Sequence, residues 1–239
     1  MQNIVGKKED AISFQIVSID GNIGSGKSTF LEDFKQMYKE VPNIKFLQEP
    51  VDEWSAIRDS MGNTMLQKFY ADQDKYAFSF QMMAYISRLA LMQQQIKDIL
   101  DNHHLVPDEI RQNKYYIFTE RSLCTDREIF AKMLYDQGKI EDVNYQIYLK
   151  WFNHFAYLPD AYVYIETHPD ICLERISKRA RDGEDTISID YLTTCHVYHD
   201  KMFENIREKG KKDILVLNGD KDNNQKCMIA QMKSFLQIS

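Results

Sequence analysis

The chain has 239 residues, of which 44% are hydrophobic and 28% charged, and its formal net charge is −6. This composition is ordinary for a globular protein, so we interpret residues 1–239 as a single domain. The negative charge and the lack of a basic stripe argue against a nucleic-acid partner. No apolar run approaches the length of a transmembrane helix, which argues against a membrane-embedded protein.

The cysteines and the N-terminal segment bear on the cellular compartment. The four cysteines are widely spaced and form no C-x-x-C unit, which predicts free thiols in a reducing compartment. Residues 1–13 contain Glu9 and Asp10 but no arginine, so they resemble neither a signal peptide nor a transit peptide. We therefore expect a disordered, uncleaved extension and a cytoplasmic protein. A mitochondrial or a virus-encoded cytosolic protein stays open.

Strand-like and helical segments alternate along the chain. The predicted strands are residues 14–19, 44–48, 115–119, 161–165 and 214–217. The predicted helices begin near residue 29, cover 64–100 with a break near Ala71, continue at 126–135, 143–157 and 190–209, and end the chain. Residues 103–114 are predicted to form a polar loop. This alternation predicts an α/β fold with a five-stranded parallel sheet that helices cover on both faces.

The segment between the first predicted strand and the first predicted helix is a complete P-loop. It consists of Gly21, Asn22, Ile23, Gly24, Ser25, Gly26, Lys27 and Ser28, and Thr29 follows. Its glycines let backbone N–H groups surround a phosphate, and the helix N-terminus adds partial positive charge. Lys27 is predicted to reach the β- and γ-phosphates of ATP or another nucleoside triphosphate, and Ser28 to hold Mg²⁺.

Charged residues also follow two later strands. Glu49 comes directly after the second predicted strand, and Glu120 and Arg121 come after the third. Ligands bind at the carboxyl ends of the strands in open α/β sheets. We therefore expect these three side chains to lie beside the P-loop.

The chain resembles the deoxynucleoside kinase family, and within it the branch of deoxycytidine and deoxyguanosine kinases. The similar fragments are Gly21–Ser28, Glu49-Pro50-Val51 with Trp54, Leu66 to Tyr70, Phe80-Gln81, Glu120-Arg121-Ser122 with Asp126-Arg127, Arg175, Arg179-Ala180-Arg181 with Glu184, and Ile189-Asp190-Tyr191-Leu192. They cover nearly the whole chain. The resemblance implies a P-loop kinase fold with an arginine-rich lid, an ATP-dependent 5′-kinase of deoxynucleoside salvage, and a homodimer built on long helices.

Phosphoryl transfer requires an activated hydroxyl and positive charge around the transferring group. Glu49 is the candidate general base for the sugar 5′-hydroxyl. Arg121 carries donors that suit holding Glu49 and the reacting oxygens together. Glu120 is the candidate Mg²⁺ ligand besides Ser28, directly or through water.

The resemblance also implies roles for the lid and for the sugar site. Arg175, Arg179 and Arg181 form a basic cluster that would close over the phosphates and exclude water. Glu184, together with Tyr70, would reach the 3′-hydroxyl of the sugar.

For the base, the resemblance implies a pocket that includes Trp54, in which Phe130 stacks on the ring and Gln81 faces its hydrogen-bonding edge. Arg88 and Asp126 would lie deep in this pocket. Asp126 can accept a hydrogen bond from an exocyclic amine, which cytosine, adenine and guanine have and thymine lacks. The sequence therefore predicts activity on deoxycytidine and purine deoxynucleosides and poor activity on thymidine.

Three other functions stay open at this point. A P-loop GTPase or motor ATPase is disfavoured because the chain has no N-K-x-D motif. A non-catalytic P-loop subunit is disfavoured because all five charged or metal-binding candidates are present, namely Lys27, Ser28, Glu49, Glu120 and Arg121. A nucleoside monophosphate kinase would need further cations for the acceptor phosphate, and Glu49 at that site would repel the phosphate.

Overall fold

A parallel sheet forms the centre of the molecule. The structure is a computed structural model that describes residues 12–107, 114–181, 183–184, 186–210, 212–221 and 224–238. Its strands are β1 (Phe14–Asp20), β2 (Ile44–Leu47), β3 (Tyr115–Glu120), β4 (Ala161–Glu166) and β5 (Asp213–Asn218). They form one five-stranded sheet in the order β2-β3-β1-β4-β5, and all neighbouring strands are parallel. The predicted α/β fold and its strands are confirmed. Residues 1–11 of the expected extension lie outside the described residues.

Helices connect the strands and cover the sheet. They are α1 (Lys27–Tyr38), α2 (Val51–Ala56), α3 (Met65–Ala71), α4 (Gln73–Asn102), α5, α6 (Asp142–Phe155), α7 (Pro169–Arg179), α8 (Ile189–Lys209) and α9 (Gln225–Leu236). Helix α5 is built from Leu123–Thr125, a π-helical turn at Asp126–Ala131, and Lys132–Asp136. The predicted break near Ala71 separates α3 from α4, because Asp72 accepts a hydrogen bond from the backbone N–H of Lys75 and caps α4.

The predicted polar loop begins after α4 with a 3₁₀ turn at His103–Leu105. Residues 108–113 of that loop lie outside the described residues. Among the residues that the structure does describe, no helix combines the length and the apolar character needed to cross a bilayer.

Alternate side chains of the strands enter cores on opposite faces of the sheet. On one face, Val163 and Ile165 of β4 pack with Phe34 of α1 in a core that α9 completes. On the other face, Tyr162 and Tyr164 of the same strand pack with residues of α5, α6 and α8. A sheet buried on both faces leaves its strand ends and loops to carry polar functional groups.

The strand order brings the functional loops together. Because β3 lies between β1 and β2, Glu120 at the end of β3 lies between the P-loop after β1 and Glu49 after β2. Arg121 follows with a φ of 64°, in the left-handed region that a residue with a side chain rarely occupies. Ser122 then accepts a hydrogen bond from the backbone N–H of Thr125 and starts α5.

Candidate active site

Glycines give the P-loop its shape. Gly24 and Gly26 have φ values of 79° and 96°, which favour glycine. A Cβ on Gly24 would lie 2.5 Å from the carbonyl oxygen of Cys172, closer than real Cβ contacts. Ile23 donates its backbone N–H to the Asn22 side chain at 2.8 Å, and Asn22 in turn donates to the carbonyl of Leu192 at 2.8 Å. The loop is therefore packed closely against α7 at Cys172 and hydrogen-bonded to α8 at Leu192.

Lys27 is the first residue of α1 and is 5% exposed. Its ammonium group donates to the backbone oxygen of Asn22 at 2.6 Å. Burial and the positive charge of Arg121 lower the pKa of Lys27 to about 7, although Glu120 and Glu49 act in the opposite direction. A bound phosphate would supply negative charge and restore the protonated ammonium. Lys27 is thus suited to bind an anion.

Ser28 and Glu120 form the candidate magnesium site. The Ser28 hydroxyl donates to Oε1 of Glu120 at 2.6 Å, and Glu120 is 5% exposed. Among the described residues, no group of three or more His, Cys, Asp or Glu side chains could hold a metal ion. This pair nevertheless fits Mg²⁺, which in kinases keeps several waters and binds one or two protein oxygens together with substrate phosphates.

Arg121 connects the P-loop to Glu49. It donates from Nη1 to the backbone oxygen of Gly21 at 2.8 Å, and its Nε lies 3.7 Å from Oε1 of Glu49. Burial alone would raise the pKa of Glu49, but the charges of Arg88, Arg121 and Lys27 together hold it below its usual range. Glu49 is therefore ionised at neutral pH and can accept a proton.

Arg88 joins three acidic or carbonyl groups with one guanidinium. Its Nε donates to Oδ1 and Oδ2 of Asp126 at 3.2 and 3.0 Å, and its Nη1 donates to the backbone oxygen of Glu120 at 3.1 Å. Its Nη2 pairs with Oε1 of Glu49. Burial raises the pKa of Asp126 above its ordinary value, and the positive charge of Arg88 opposes this. The side chains of Arg88 and Asp126 are 9% and 2% exposed, so the pair is a buried one.

These groups surround one cavity of about 440 Å³. The predicted site residues in its wall are Ile23, Gly24, Gly26, Lys27, Ser28, Thr29, Glu49, Trp54, Tyr70, Gln81, Arg88, Glu120, Arg121, Asp126, Phe130, Arg175, Arg179, Arg181 and Glu184. Gly21, Asn22 and Ser25 are not in this wall and belong to the P-loop backbone behind it. The volume is within the range typical of small-molecule sites.

One buried amide in this cavity has a polar atom without a partner. Gln81 is 2% exposed, and its Oε1 atom has no hydrogen-bond partner among the described residues. An unpaired buried amide oxygen is costly, so a ligand that donates to this oxygen of Gln81 would be stabilised.

The Phe130 ring lines the same cavity and lies beneath the guanidinium of Arg121, 4.8 Å away.

The arginines of the predicted lid contact Glu184 and the P-loop side of the cavity. Arg179 pairs with Oε2 of Glu184, and Arg181 approaches Oε1 of the same carboxylate at 3.3 Å. Arg175 donates to the backbone oxygen of Gly219 at 2.9 Å and approaches that of Ser25, in the P-loop, at 3.5 Å. Glu184 thereby ties two lid arginines to the cavity wall.

Comparison with known proteins identifies the family. The sequence model described as deoxynucleoside kinase matches residues 17–237, nearly the whole chain. The chain belongs to the deoxynucleoside kinase family. Membership makes it a phosphotransferase that acts on a deoxynucleoside hydroxyl in an ATP-dependent reaction, and the predicted family is confirmed.

Several curated kinases are similar to the chain. A probable deoxycytidine kinase of Fowlpox virus (strain NVSL) is 34% identical over 92% of this chain and 87% of the relative. The deoxycytidine kinase of Bos taurus is 31% identical over 92% of this chain and 90% of the relative. The mitochondrial deoxyguanosine kinase of Xenopus laevis is 27% identical over 92% and 86%.

The site of this deoxynucleoside kinase also contains residues to which the sequence analysis assigned no role. Val51, Leu66, Phe80, Ala84 and Tyr191 line the cavity. Of these, Tyr191 packs edge to face against Tyr70, with ring centroids 6.0 Å apart. Apolar residues in helices give no signal that separates a pocket wall from a core.

A buried polar network beneath the site was missed as well. Asp20 is fully buried at the end of β1 and accepts hydrogen bonds from the hydroxyls of Ser18, at 2.6 Å, and of Thr125. This network connects the start of the P-loop to the start of α5. An acidic residue at the end of an apolar strand, directly before the P-loop, was the signal that could have found it.

Proposed function

We propose that this kinase transfers the γ-phosphate of ATP to the 5′-hydroxyl of deoxycytidine and of purine deoxynucleosides. The observation that carries the proposal is the buried pairing of Arg88 with Asp126 in the wall of the cavity that Lys27 also lines. A nucleoside in this cavity would have polar side chains beside its base. Its acceptor hydroxyl would lie beside the side chains that bind the phosphates of ATP.

The base preference follows from hydrogen-bonding capacity. A carboxylate has about four lone-pair positions, so Asp126 can accept from an exocyclic amine while it also accepts from Arg88. Gln81 offers a donor and an acceptor, and its unpaired Oε1 can accept from the base. Thymine has no exocyclic amine for Asp126, and its methyl group would compete for space with Arg88. The relatives that are named as deoxycytidine and deoxyguanosine kinases support the same preference.

The reaction assigns one task to each charged group. Glu49 accepts the proton of the 5′-hydroxyl, while Lys27 and Arg121 neutralise charge on the phosphates. Ser28 and Glu120 would hold Mg²⁺, which would supply positive charge to the phosphates. Glu49 is a weak base because neighbouring cations lower its pKa. Even a weak base suffices once it is free to contact the hydroxyl, since the loose transition state of phosphoryl transfer requires little bond formation by the nucleophile.

Exchanging the base-contacting pair should change the preferred base. The variant with Arg88→Met and Asp126→Ala should show kcat/KM for thymidine raised by about tenfold or more, because it removes the groups that reject thymine, and a base-specific contact is worth about 1–3 kcal/mol of discrimination. Activity on deoxycytidine should fall in the same variant. Steady-state kinetics with both nucleosides measures the ratio, and Arg207→Met, on the exposed face of α8, is the matched control. A wild-type kcat/KM that is highest for thymidine would contradict the proposed pocket.

We also propose that the protein is a homodimer. Val143, Ile147, Trp151 and Phe155 are 59%, 40%, 43% and 43% exposed and recur every fourth residue along α6. Residues with this spacing share one face of a helix, so they form an apolar stripe. Helix α6 packs on the long helix α4, where the Tyr85 hydroxyl donates to the Trp151 carbonyl at 2.9 Å. Exposed apolar stripes mark protein interfaces, and a second copy offers the same stripe in a two-fold dimer.

Charges in this stripe should separate the two copies. The variant with Ile147→Glu and Trp151→Glu should elute as a monomer, because dimerisation would bury four unpaired carboxylates across two copies. Size-exclusion chromatography with light scattering measures the mass. Val197→Glu, at a residue of α8 that is 42% exposed, is the control and should remain dimeric. A wild-type monomer, or a double variant that stays dimeric, would rule out this interface.

The proposed location of the protein is intracellular, in the cytoplasm. Cys124, Cys172, Cys195 and Cys227 are all free thiols in the structure. Free thiols are typical of proteins in reducing compartments, so this supports the proposal.

A further inference from the structure

The guanidinium of Arg88 contacts groups with two different tasks. Its Nε donates to Asp126, which is proposed to recognise the base, and its Nη2 pairs with Glu49, the proposed catalytic base. Its Nη1 is fixed by the backbone oxygen of Glu120. A guanidinium is planar and rigid, so a shift that improves one of these contacts weakens another.

The contact with Arg88 restrains Glu49. The same oxygen of Glu49, Oε1, faces both the Nη2 of Arg88 and the Nε of Arg121, the latter at 3.7 Å. Lys27 contributes a third positive charge nearby. A carboxylate that accepts charge-assisted hydrogen bonds holds its proton weakly and is less available to a hydroxyl. Glu49 is therefore least reactive while Arg88 stays bound to it.

A matching base offers Arg88 another partner. Cytosine, adenine and guanine each have an exocyclic amine, which can donate a hydrogen bond to Asp126. Each also has ring nitrogens or carbonyl oxygens, which can accept a hydrogen bond from a guanidinium. A base held by Asp126 would lie against Arg88, because the two side chains are in contact. The base would then compete with Glu49 for the donors of Arg88.

We infer that Arg88 couples recognition of the base to the freeing of Glu49, so that Glu49 becomes available to the acceptor only when a matching base engages Asp126 and Arg88. This inference rests on the proposed role of Glu49. In the productive reaction the 5′-oxygen bonds to the γ-phosphorus, the bond from that phosphorus to the β–γ bridging oxygen breaks, ADP leaves, and Glu49 takes the proton. When no nucleobase is bound, Glu49 stays paired with Arg88. A water molecule in the position of the 5′-hydroxyl is then activated poorly.

Hydrolysis of ATP in the absence of any nucleoside tests the coupling. Arg88→Met should raise the rate of release of inorganic phosphate by about tenfold or more, the factor expected for losing one hydrogen bond to a charged group. The double variant Arg88→Met with Glu49→Gln should lose this increase, because no general base would remain to accept the proton of the water. Arg207→Met should hydrolyse ATP at the wild-type rate.

Two further variants separate the possible failures. Arg88→Lys keeps the charge, but a single ammonium cannot span Asp126 and Glu49 as a planar fork does, so it should also raise hydrolysis. Unchanged hydrolysis in a folded Arg88→Met or, if that variant does not fold, in Arg88→Lys would overturn the coupling. If Glu49→Gln slows phosphorylation of deoxycytidine in that case, the proposed role of Glu49 stands. If Glu49→Gln phosphorylates deoxycytidine at the wild-type rate, the proposed function itself fails.

Discussion

Lys27→Ala should lower kcat/KM by about 10³-fold, the loss typical of removing one preorganised group that stabilises transition-state charge. Lys27 is buried in the cavity wall at the start of α1, beside the P-loop backbone. Because its pKa is lowered to about 7 in the free protein, the ammonium is partly deprotonated at neutral pH and gains its full charge when phosphate binds. Wild-type ATP binding should therefore take up a proton at pH above 7.

The control for this variant is Lys35→Ala, which removes a partly exposed lysine from the same helix, outside the cavity wall. It should keep wild-type turnover, and circular dichroism should show that both variants are folded. Steady-state kinetics over a range of ATP concentrations measures the loss. Wild-type turnover of Lys27→Ala at saturating ATP would contradict the assignment of the P-loop.

Glu49→Gln should lower kcat by about 10²-fold or more, the usual contribution of a positioned general base. Nucleoside affinity should change much less, because the amide keeps the shape and one acceptor oxygen. Since its neighbours hold the pKa of Glu49 below the usual range, the carboxylate stays ionised as the pH falls to about 5. Titration of Glu49 should therefore produce no loss of activity between pH 8 and pH 5.

The matched control is Glu53→Gln, an exposed glutamate on α2 that is four residues away. It should have no effect on kcat. Single-turnover kinetics separates the chemical step from product release, and equilibrium binding of deoxycytidine gives the affinity. If Glu49→Gln kept its rate but lost nucleoside binding, Glu49 would be a binding group and not the base.

The sheet could be predicted from the sequence because its strands are mainly apolar runs that end near polar residues. Ile16 to Ile19, in which only Ser18 is polar, precede the P-loop, and Tyr115 to Phe118 precede Glu120. A strand buried on both faces needs apolar residues at nearly every position, so the signal is strong. The break between α3 and α4 was predicted as well, because Asp72 favours a cap over a helix interior.

Other local features depend on tertiary structure and leave no signal in the sequence. Arg121 adopts a left-handed φ of 64° because its backbone N–H bonds to Ile19 of β1 while its guanidinium bonds to Gly21. The π-helical turn that carries Asp126 and Phe130 packs against both α4 and α8, which are distant in sequence. No propensity scale distinguishes such a turn from an ordinary α-helix.

Arg121 was expected beside Glu49 and Arg88 beside Asp126, and the structure has both contacts, but the pairing of Arg88 with Glu49 was not predicted. The family resemblance placed Gln81 and Arg88 in one pocket, and both line the cavity. The contact between Arg88 and Glu49 joins two segments that are 39 residues apart, and only the fold reveals it. The roles of these residues in binding and catalysis stay predictions.

The most direct test of the central claim is a transfer assay with ATP that is radiolabelled in its γ-phosphate. The four deoxynucleosides and their monophosphates serve as acceptors. Chromatography beside authentic nucleotides identifies the labelled 5′-monophosphate. We expect label in the 5′-monophosphates of deoxycytidine and of the purine deoxynucleosides, little in that of thymidine, and none in diphosphates. Label that appears only in nucleoside diphosphates, or mainly in thymidine monophosphate, would contradict the account.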